Sequence, residues 1–319
     1  AEYKFTVAKE HNITLLAGHE GIKSDAQSFN ARVAGIADDR LMLLSHGKTP
    51  EAPSQSQSKY EFLSFFGRAD WDYKAKYAAN VTVRSDASSR FGKDNRTAVF
   101  VSGGLSWNIA REYFMRPVTW LSDLKLKVSV GSTGNAAGGN YGHLALAGTA
   151  DYNGTTGWGY AQLPNPDLGW EKQIQTNVGI SATFFEKLKV DVNLYHRKTK
   201  DMLMSTPLPY TTGFSSMMNN VGEMSNRGVE IEASYDIIRN KDVYFSLRGN
   251  YTYNKNKVDK LFYDLDEWPM KSSLLCLKKG ESLNFYMPIF AGIDKEDGAP
   301  MWYKVGYKGE PGYTFKPET

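Results

Sequence analysis

Glu230 and Glu232 stand two positions apart in NNVGEMSNRGVEIEASYD, residues 219–236. Side chains on a strand alternate between faces, so these carboxylates would project side by side, a spacing that an inverting glycosidase could use. Asp236 shares their face, however, and Val229, Ile231, Ala233 and Tyr235 share the other. A strand with one wet and one oily face explains the acids more simply than catalysis does. His143 in GGNYGH and His196 in LYHRK lack the spacing of a nucleophile, base and orienter set. DKEDG at Asp294–Gly298 lacks EF-hand ligand spacing and reads as a turn. The glycines of GSTGNAAGGNYG are not followed by the Lys-Ser or Lys-Thr of a phosphate loop, so they read as flexibility. Asn-x-Thr triplets such as Asn80 to Thr82 fall in expected strands and are chance matches. The expectation is no catalytic residue, no metal, no cofactor and no enzyme.

Binding chemistry is better represented. DYNGTTGWGYAQ offers Tyr152, Asn153, Trp158 and Tyr160, and the next long loop offers Tyr210 and Phe214. Flat rings and planar amides suit sugars or peptides, although packing within a loop or at a membrane interface is the commoner use of such rings. The 38 basic and 35 acidic residues, net +3, are spread along the chain without a basic stripe, so nucleic acid is not an expected partner. The single cysteine, Cys276, rules out an internal disulfide framework and a CxxC site, and reads as a small buried or lipid-side hydrophobe. No apolar run reaches the ~18 residues of a membrane helix. AEYKFTVAKE lacks the regions of a signal peptide, so an export signal would lie elsewhere.

The elements that would position these residues are strands. A hydrophobic fraction of 41% argues for a folded chain, while 13% aromatic residues and a mean hydropathy of −0.47 suit strands that are half wet. In QIQTNVGISATFF the even positions Ile174, Thr176, Val178, Ile180, Ala182 and Phe184 are apolar or small, and Gln173, Gln175, Asn177 and Ser181 alternate with them. After Glu186 and Lys187 the pattern resumes with Leu188, Val190, Val192 and Leu194 against Lys189, Asp191, Asn193 and Arg197, a tight hairpin. Phe245, Leu247, Tyr251 and Tyr253 form a similar row against Ser246, Arg248, Asn250 and Thr252. The alternation predicts about eleven strands, at 2–8, 12–23, 58–73, 77–87, 97–109, 123–133, 169–185, 188–199, 226–236, 243–257 and 281–293. Most reach the roughly 9 to 11 residues that a tilted strand needs to cross a bilayer.

Short connections near KEHN, KAK, EK and IIRNKD alternate with long ones near 24–57, 134–168, 200–225 and 258–280. The 88–96 loop is shorter than its class and the 110–122 link longer. Tight turns at one end and long loops at the other characterise outer-membrane barrels, and a soluble sandwich has no physical reason for them. The apolar rows carry no charge, as lipid contact would require; the core face of a soluble sheet would show the same, so this supports a barrel only together with strand length and loop asymmetry.

At the opening stretch the chain resembles a family. NVGEMSNRGVEIE, with Asn220, Gly222, Asn226, Gly228 and Glu230, is similar to the signature of SusC/RagA-type TonB-dependent outer-membrane transporters. FFGRADWDYKAKY, VRSDASSRFG, WLSDLKLKVSVGSTGN, NPDLGWEKQIQTNVGI and AGIDKEDGAPMWY resemble barrel stretches of that family in the same order. Ala87 departs from the usual glycine and relaxes one loop position. The resemblance covers essentially the whole chain. It implies an all-β fold, an antiparallel transmembrane β-barrel of roughly 22 strands. This chain would supply about half of them as one partial domain over 1–319, without the N-terminal plug and the last strands. It further implies the outer membrane of a Gram-negative, Bacteroidota-like bacterium, contact with membrane lipid, a SusD-like surface lipoprotein as partner, and TonB engaged through the missing N-terminal part. The substrate would be a glycan or a peptide. An incomplete barrel leaves unpaired strand edges, so such a piece alone should not transport. The alternative is a soluble β-rich carbohydrate-binding or glycan-degrading module.

Overall fold

The structure, a computed structural model, describes residues 1–40, 42–270, 273–303 and 314–315. In chain order the strands are β1 (Glu2–Val7), β2 (His11–Asn30), β3 (Val33–Ile36), β4 (Gly47–Pro50), β5 (Ser54–Tyr73), β6 (Tyr77–Ser88), β7 (Thr97–Asn108) and β8 (Leu121–Asn135). There follow β9 (Leu146–Tyr152), β10 (Thr155–Gln162), β11 (Glu171–Phe184), β12 (Leu188–Lys200), β13 (Leu203–Pro207), β14 (Ser216–Asn220), β15 (Glu223–Arg239) and β16 (Tyr244–Lys260). The last are β17 (Glu267–Met270), β18 (Leu275–Lys278), β19 (Asn284–Phe285), β20 (Phe290–Ile293), β21 (Pro300–Tyr303) and β22 (Thr314–Phe315). No helix among the described residues is long and apolar enough to cross a membrane.

One antiparallel sheet of ten strands, in the order β1-β2-β5-β6-β7-β8-β11-β12-β15-β16, carries the chain from Glu2 to Lys260. Ten of the expected strands are these ten. The eleventh, at 281–293, is not among them: the segment holds only the short β19 and β20, and the Tyr286 amide bonds back to the Leu274 carbonyl at 2.7 Å. Pro288 within it has no N–H to give a ladder, which ends any long strand there. Elsewhere the strands outrun expectation at the long-loop end. β2 and β5 continue past the apolar rows as a polar ribbon held by Lys23–Glu61 at 3.0 Å, Lys59–Asp25 at 2.9 Å and a Ser28–Ser56 hydroxyl bond at 2.7 Å.

Which face is oily follows from the register. Directly opposed residues across all ten strands form the row Phe5–Ile13–Trp71–Ala79–Leu105–Val128–Val178–Leu194–Val229–Tyr253, without one charged side chain. The neighbouring row of the opposite face reads Thr6–Asn12–Asp72–Ala78–Ser106–Lys127–Gly179–Asn193–Glu230–Thr252. The apolar face is the more exposed one: along β11 Ile174, Val178 and Ile180 are exposed and Gln173, Gln175 and Asn177 half-buried. That is the amphipathicity of a water-soluble sheet turned inside out, and it fits a wall with hydrocarbon outside and water within.

The tight turns lie together at one end. Ala8-Lys9, Lys74-Ala75 and Phe185-Glu186 each take positive φ, the turn sense that matches the right-handed twist of the strands they join. Beside them the outward rings stack: Trp71 on Tyr73 at 6.4 Å, Tyr73 on Tyr77 at 6.3 Å, Tyr77 on Trp107 at 6.3 Å, and Trp120 on Phe184 at 6.0 Å. Such a band suits the boundary between hydrocarbon and headgroups. The link between β7 and β8 anchors it through Glu112, whose carboxylate accepts from Tyr77 Oη at 2.5 Å, Lys76 Nζ at 3.0 Å and Trp107 Nε1 at 3.1 Å. These donors hold the Glu112 carboxyl at about 2, the Tyr77 hydroxyl contributing most. Cys276, near the far end, is buried as expected.

Two outcomes follow in the intact receptor. Val192→Arg places a charge in the outward apolar face and should impair assembly by roughly 2 to 4 kcal/mol near the midplane, whereas Asn193→Arg, beside Glu230, should be tolerated. Equal amounts of heat-modifiable barrel from the two variants would contradict an outward lipid face. Because its folded value lies below the ordinary 4.5, Glu112 contributes stability that is complete above about pH 4.5 and lost as pH falls toward about 2. Thermal unfolding followed across that window should show a wild-type decline that Glu112→Gln makes shallower.

Candidate functional site

The inner face is a polar wall. Its concavity of about 800 Å³ is lined by Asp70, Asn80, Lys127, Asn177, Asp191 and Glu230 among others. Asn193 Nδ2 donates to Glu230 at 3.1 Å, Lys127 Nζ to Ser181 Oγ at 3.0 Å, and Ser181 Oγ to Asp191. Glu232 lies directly opposite Asp191. Glu230 and Glu232 are thus two members of a continuous hydrophilic surface. Deeper along β6, Arg84 donates to Asp86 at 2.7 Å, Glu20 at 3.0 Å and Ser64 at 3.0 Å, joining three strands. Gly228 explains part of its own motif: an added Cβ would run into the Tyr253 carbonyl and the Tyr195 ring, 2.7 Å from the Tyr195 hydroxyl. Tyr195 therefore lies over bare backbone, its hydroxyl donating to Asn254 at 2.9 Å.

At the long-loop end the chain builds a buried knot from loop bases. Phe91, Phe100, Ala136, Leu168 and Trp170 form its core, with Phe62, Leu203 and Met218 packed around them. Arg90 lies 4.3 Å over the Tyr60 ring and donates to Asn140 Oδ1 and the Ala136 carbonyl, both at 2.8 Å. Asn140 Nδ2 donates to Ser58 Oγ at 2.5 Å, and a ring nitrogen of His143 stands 3.0 Å from the Arg90 carbonyl. Trp170 Nε1 donates to the Arg96 carbonyl at 3.0 Å. Asn165 Nδ2 donates to the Met218 carbonyl at 2.7 Å, and Asn220 bonds both the amide and the carbonyl of Gly169 at 2.7 and 2.8 Å. Three long connections and the shorter 88–96 loop are thereby tied at their roots. Burying Phe91 and Leu168 alone contributes on the order of 1.5 to 3 kcal/mol each.

The aromatic residues singled out in sequence stand above this knot on two hairpins. DYNGTTGWGYAQ is a paired ribbon, β9 against β10, turning at Asn153 and Gly154, both at positive φ. The Asn-Gly pair is a strong hairpin signal. Trp158 and Tyr160, 80% and 77% exposed, share one face with Thr149 and Ala147 opposite, while Tyr152, 86% exposed, is on the other. Tyr210, 96% exposed, and the half-buried Phe214 belong to the tip joining β13 and β14. The structure brings Trp158 and Tyr160 together and leaves the other four apart from them. His143 belongs to the knot, whereas His196 is on the outward face of β12, opposite Thr176 and Arg227. Asp294–Gly298 is a closed turn, with Gly298 N bonded to the Asp294 carbonyl at 3.0 Å and Glu296 N to Asp294 Oδ1 at 2.9 Å. No metal-competent cluster of His, Cys, Asp or Glu occurs among the described residues.

Sequence reading did not identify Arg90, Asn140, Asn165 and Asn220 as structural centres. SSRFG and NPDLGW stood within stretches compared with barrel strands, and they prove to be loop roots. The signal present was Asn and Arg beside Phe, Gly, Pro and Trp at strand ends, where polar side chains must satisfy irregular buried backbone.

The family model described as "TonB dependent receptor-like, beta-barrel" matches residues 3–273. TonB-dependent receptor P39 of Formosa agariphila is 34% identical over 98% of this chain and 30% of its own length. TonB-dependent receptor SusC of Bacteroides thetaiotaomicron is 34% identical over 80% of this chain and 25% of its own length. The solved RagAB peptide transporter superposes with a TM-score of 0.86 and 38% identity, covering 100% of this chain and 36% of the matched one. The Escherichia coli outer-membrane transporter YddB, at 12% identity and a TM-score of 0.56, shares the fold alone. The chain thus spans about a third of the length of the proteins it matches.

Gly92 tests the knot, because a Cβ there would press into the Pro166 carbonyl. Gly92→Ala should loosen the loop roots by about 1 to 3 kcal/mol while the strands assemble normally. Limited proteolysis of the intact receptor should then cut within 146–162 faster than in wild type, and unchanged cutting would remove the knot's supporting role.

Proposed function

Because this chain belongs to the TonB dependent receptor-like β-barrel family, whose members lie in the outer membrane, we propose that it forms part of the wall of a transporter importing glycans or peptides. A SusD-like surface lipoprotein would capture the substrate over the long-loop end, and TonB would act through another part of the receptor. The observation that supports this reading most directly is the pairing of a charge-free outward row with a polar concave face. A soluble carbohydrate-binding or glycan-degrading module would leave that row in water. The edge strands β1 and β16 would continue into further strands, since unpaired backbone is not tolerated in hydrocarbon.

Trp158 and Tyr160 are the residues most suited to touch substrate or the lipoprotein. They share a face of a ribbon projecting from the knot, and large rigid rings lose little side-chain entropy on contact. Changing both to Ala should weaken uptake or lipoprotein affinity by about 1 to 3 kcal/mol for each ring that becomes buried, with barrel assembly unaffected. In the same cells an impermeant thiol label should reach Asn153→Cys and not Glu186→Cys. Unaltered uptake and lipoprotein affinity in an assembled double variant would reduce the hairpin to packing.

A further inference from the structure

On β12, β15 and β16 the outward face turns cationic where the apolar rows stop. Beyond Leu194, Val229 and Tyr253, toward the long loops, the next outward row is His196–Arg227–Lys255, directly opposed across the three strands. The row after it brings Lys198 and Lys257 on either side of Ser225, and the one beyond sets Lys172 opposite Lys200. Like charges directly opposed destabilise a ladder. Some of this charge is answered: Glu223 meets Lys198 at 2.7 Å, Asp259 meets Lys257 at 3.5 Å, and Asp201 lies 4.0 Å from Lys172. Arg227 and Lys255 are exposed, and among the described residues neither side chain has an ion pair or hydrogen bond. The outward face of β2 and β5 near the same end is built differently, with Lys23 opposite Glu61 and Lys59 opposite Asp25.

We propose that Arg227 and Lys255 dock the phosphate of a phosphorylated glycolipid in the outer leaflet, whose acyl chains lie along Leu194, Val229 and Tyr253. The stretch from Leu188 to His196 covers roughly 26 Å of strand, or about 20 Å of depth at a tilt near 40°, so the cations stand at the upper edge of the hydrocarbon. Cross-strand Cβ atoms lie roughly 5 Å apart, close enough for one phosphate to meet both side chains. The Arg guanidinium matches phosphate oxygens in a fork, and Lys adds a point charge. A lipid completes the site as a soluble anion does not, because the cationic rows continue directly into the apolar band. The assignment rests on the long loops facing the cell exterior, which the thiol-label experiment tests separately.

The experiment uses the intact receptor, stripped of lipid in detergent and titrated with lipid A followed by native mass spectrometry. Arg227→Gln and Lys255→Gln should each weaken binding about tenfold. Lys23→Gln should leave it unchanged, and lipid A with its phosphates removed should bind wild type no better than native lipid A binds the double variant. Heat-modifiable mobility confirms assembly; if the double variant fails to assemble, the comparison of the two lipids on wild type decides. Equal binding of dephosphorylated lipid A, or a double variant that binds as wild type does, would overturn the site. Competition by inorganic phosphate at concentrations equal to the lipid would also overturn it, by showing a bare anion site with no lipid contribution.

Discussion

Everything in this molecule depends on where its oily face is turned. A sheet in water hides its apolar rows, and this one presents a row of ten such residues outward while lining its concavity with Asn, Asp, Ser, Lys and Glu. No core between two layers is needed, and little exists: among the described residues the fully buried side chains are few and lie at the long-loop end. Hydrogen bonds of the ladder hold the middle of the wall, where an unpaired amide would be intolerable in hydrocarbon. The solvent outside does the work that a second layer performs in a soluble fold.

The two ends then need different fasteners. At the turn end the chain is short and regular, and stacked rings with Glu112 beneath them fix the strand ends at the interface. At the other end long irregular connections would carry unsatisfied backbone into a packed region, so side-chain amides and one guanidinium supply the partners. Asn165, Asn220 and Arg90 do this within a small aromatic core. The motif residues around them need a structural explanation before a functional one.

The wall was legible in the sequence because its physics is periodic. Val190, Val192 and Leu194 alternate with Asp191 and Asn193, and the opposed partners Ala233, Ile231 and Val229 repeat the pattern, so face and register reinforce each other. Residues 281–293 offered apolar side chains without that reinforcement, and Pro288 prevents a long strand there. The 146–162 segment was read as a long loop, although its Asn153-Gly154 pair carries the signal of the hairpin that the structure shows. The knot was not readable, because its contacts join residues as far apart as Ser58 and Asn140, and no local period connects them. Trp158 and Tyr160 sharing a face is a matter of register, which could be inferred only once the turn was fixed.

Separating wall from tips has a consequence for specificity. Substitutions at Trp158, Tyr160 or Tyr210 alter exposed surface on ribbons whose roots are fixed by Asn165, Leu168 and Asn220, so their effect stops at the knot. Substitutions at Leu105, Val128 or Val178 meet hydrocarbon and are limited by the same transfer cost whatever the substrate. Gly92 and Arg90 stand between these regimes: they pack at the loop roots, against Pro166 and Asn140. A receptor built this way can vary the exposed surface of its tips without reopening the question of how its strands enter the membrane.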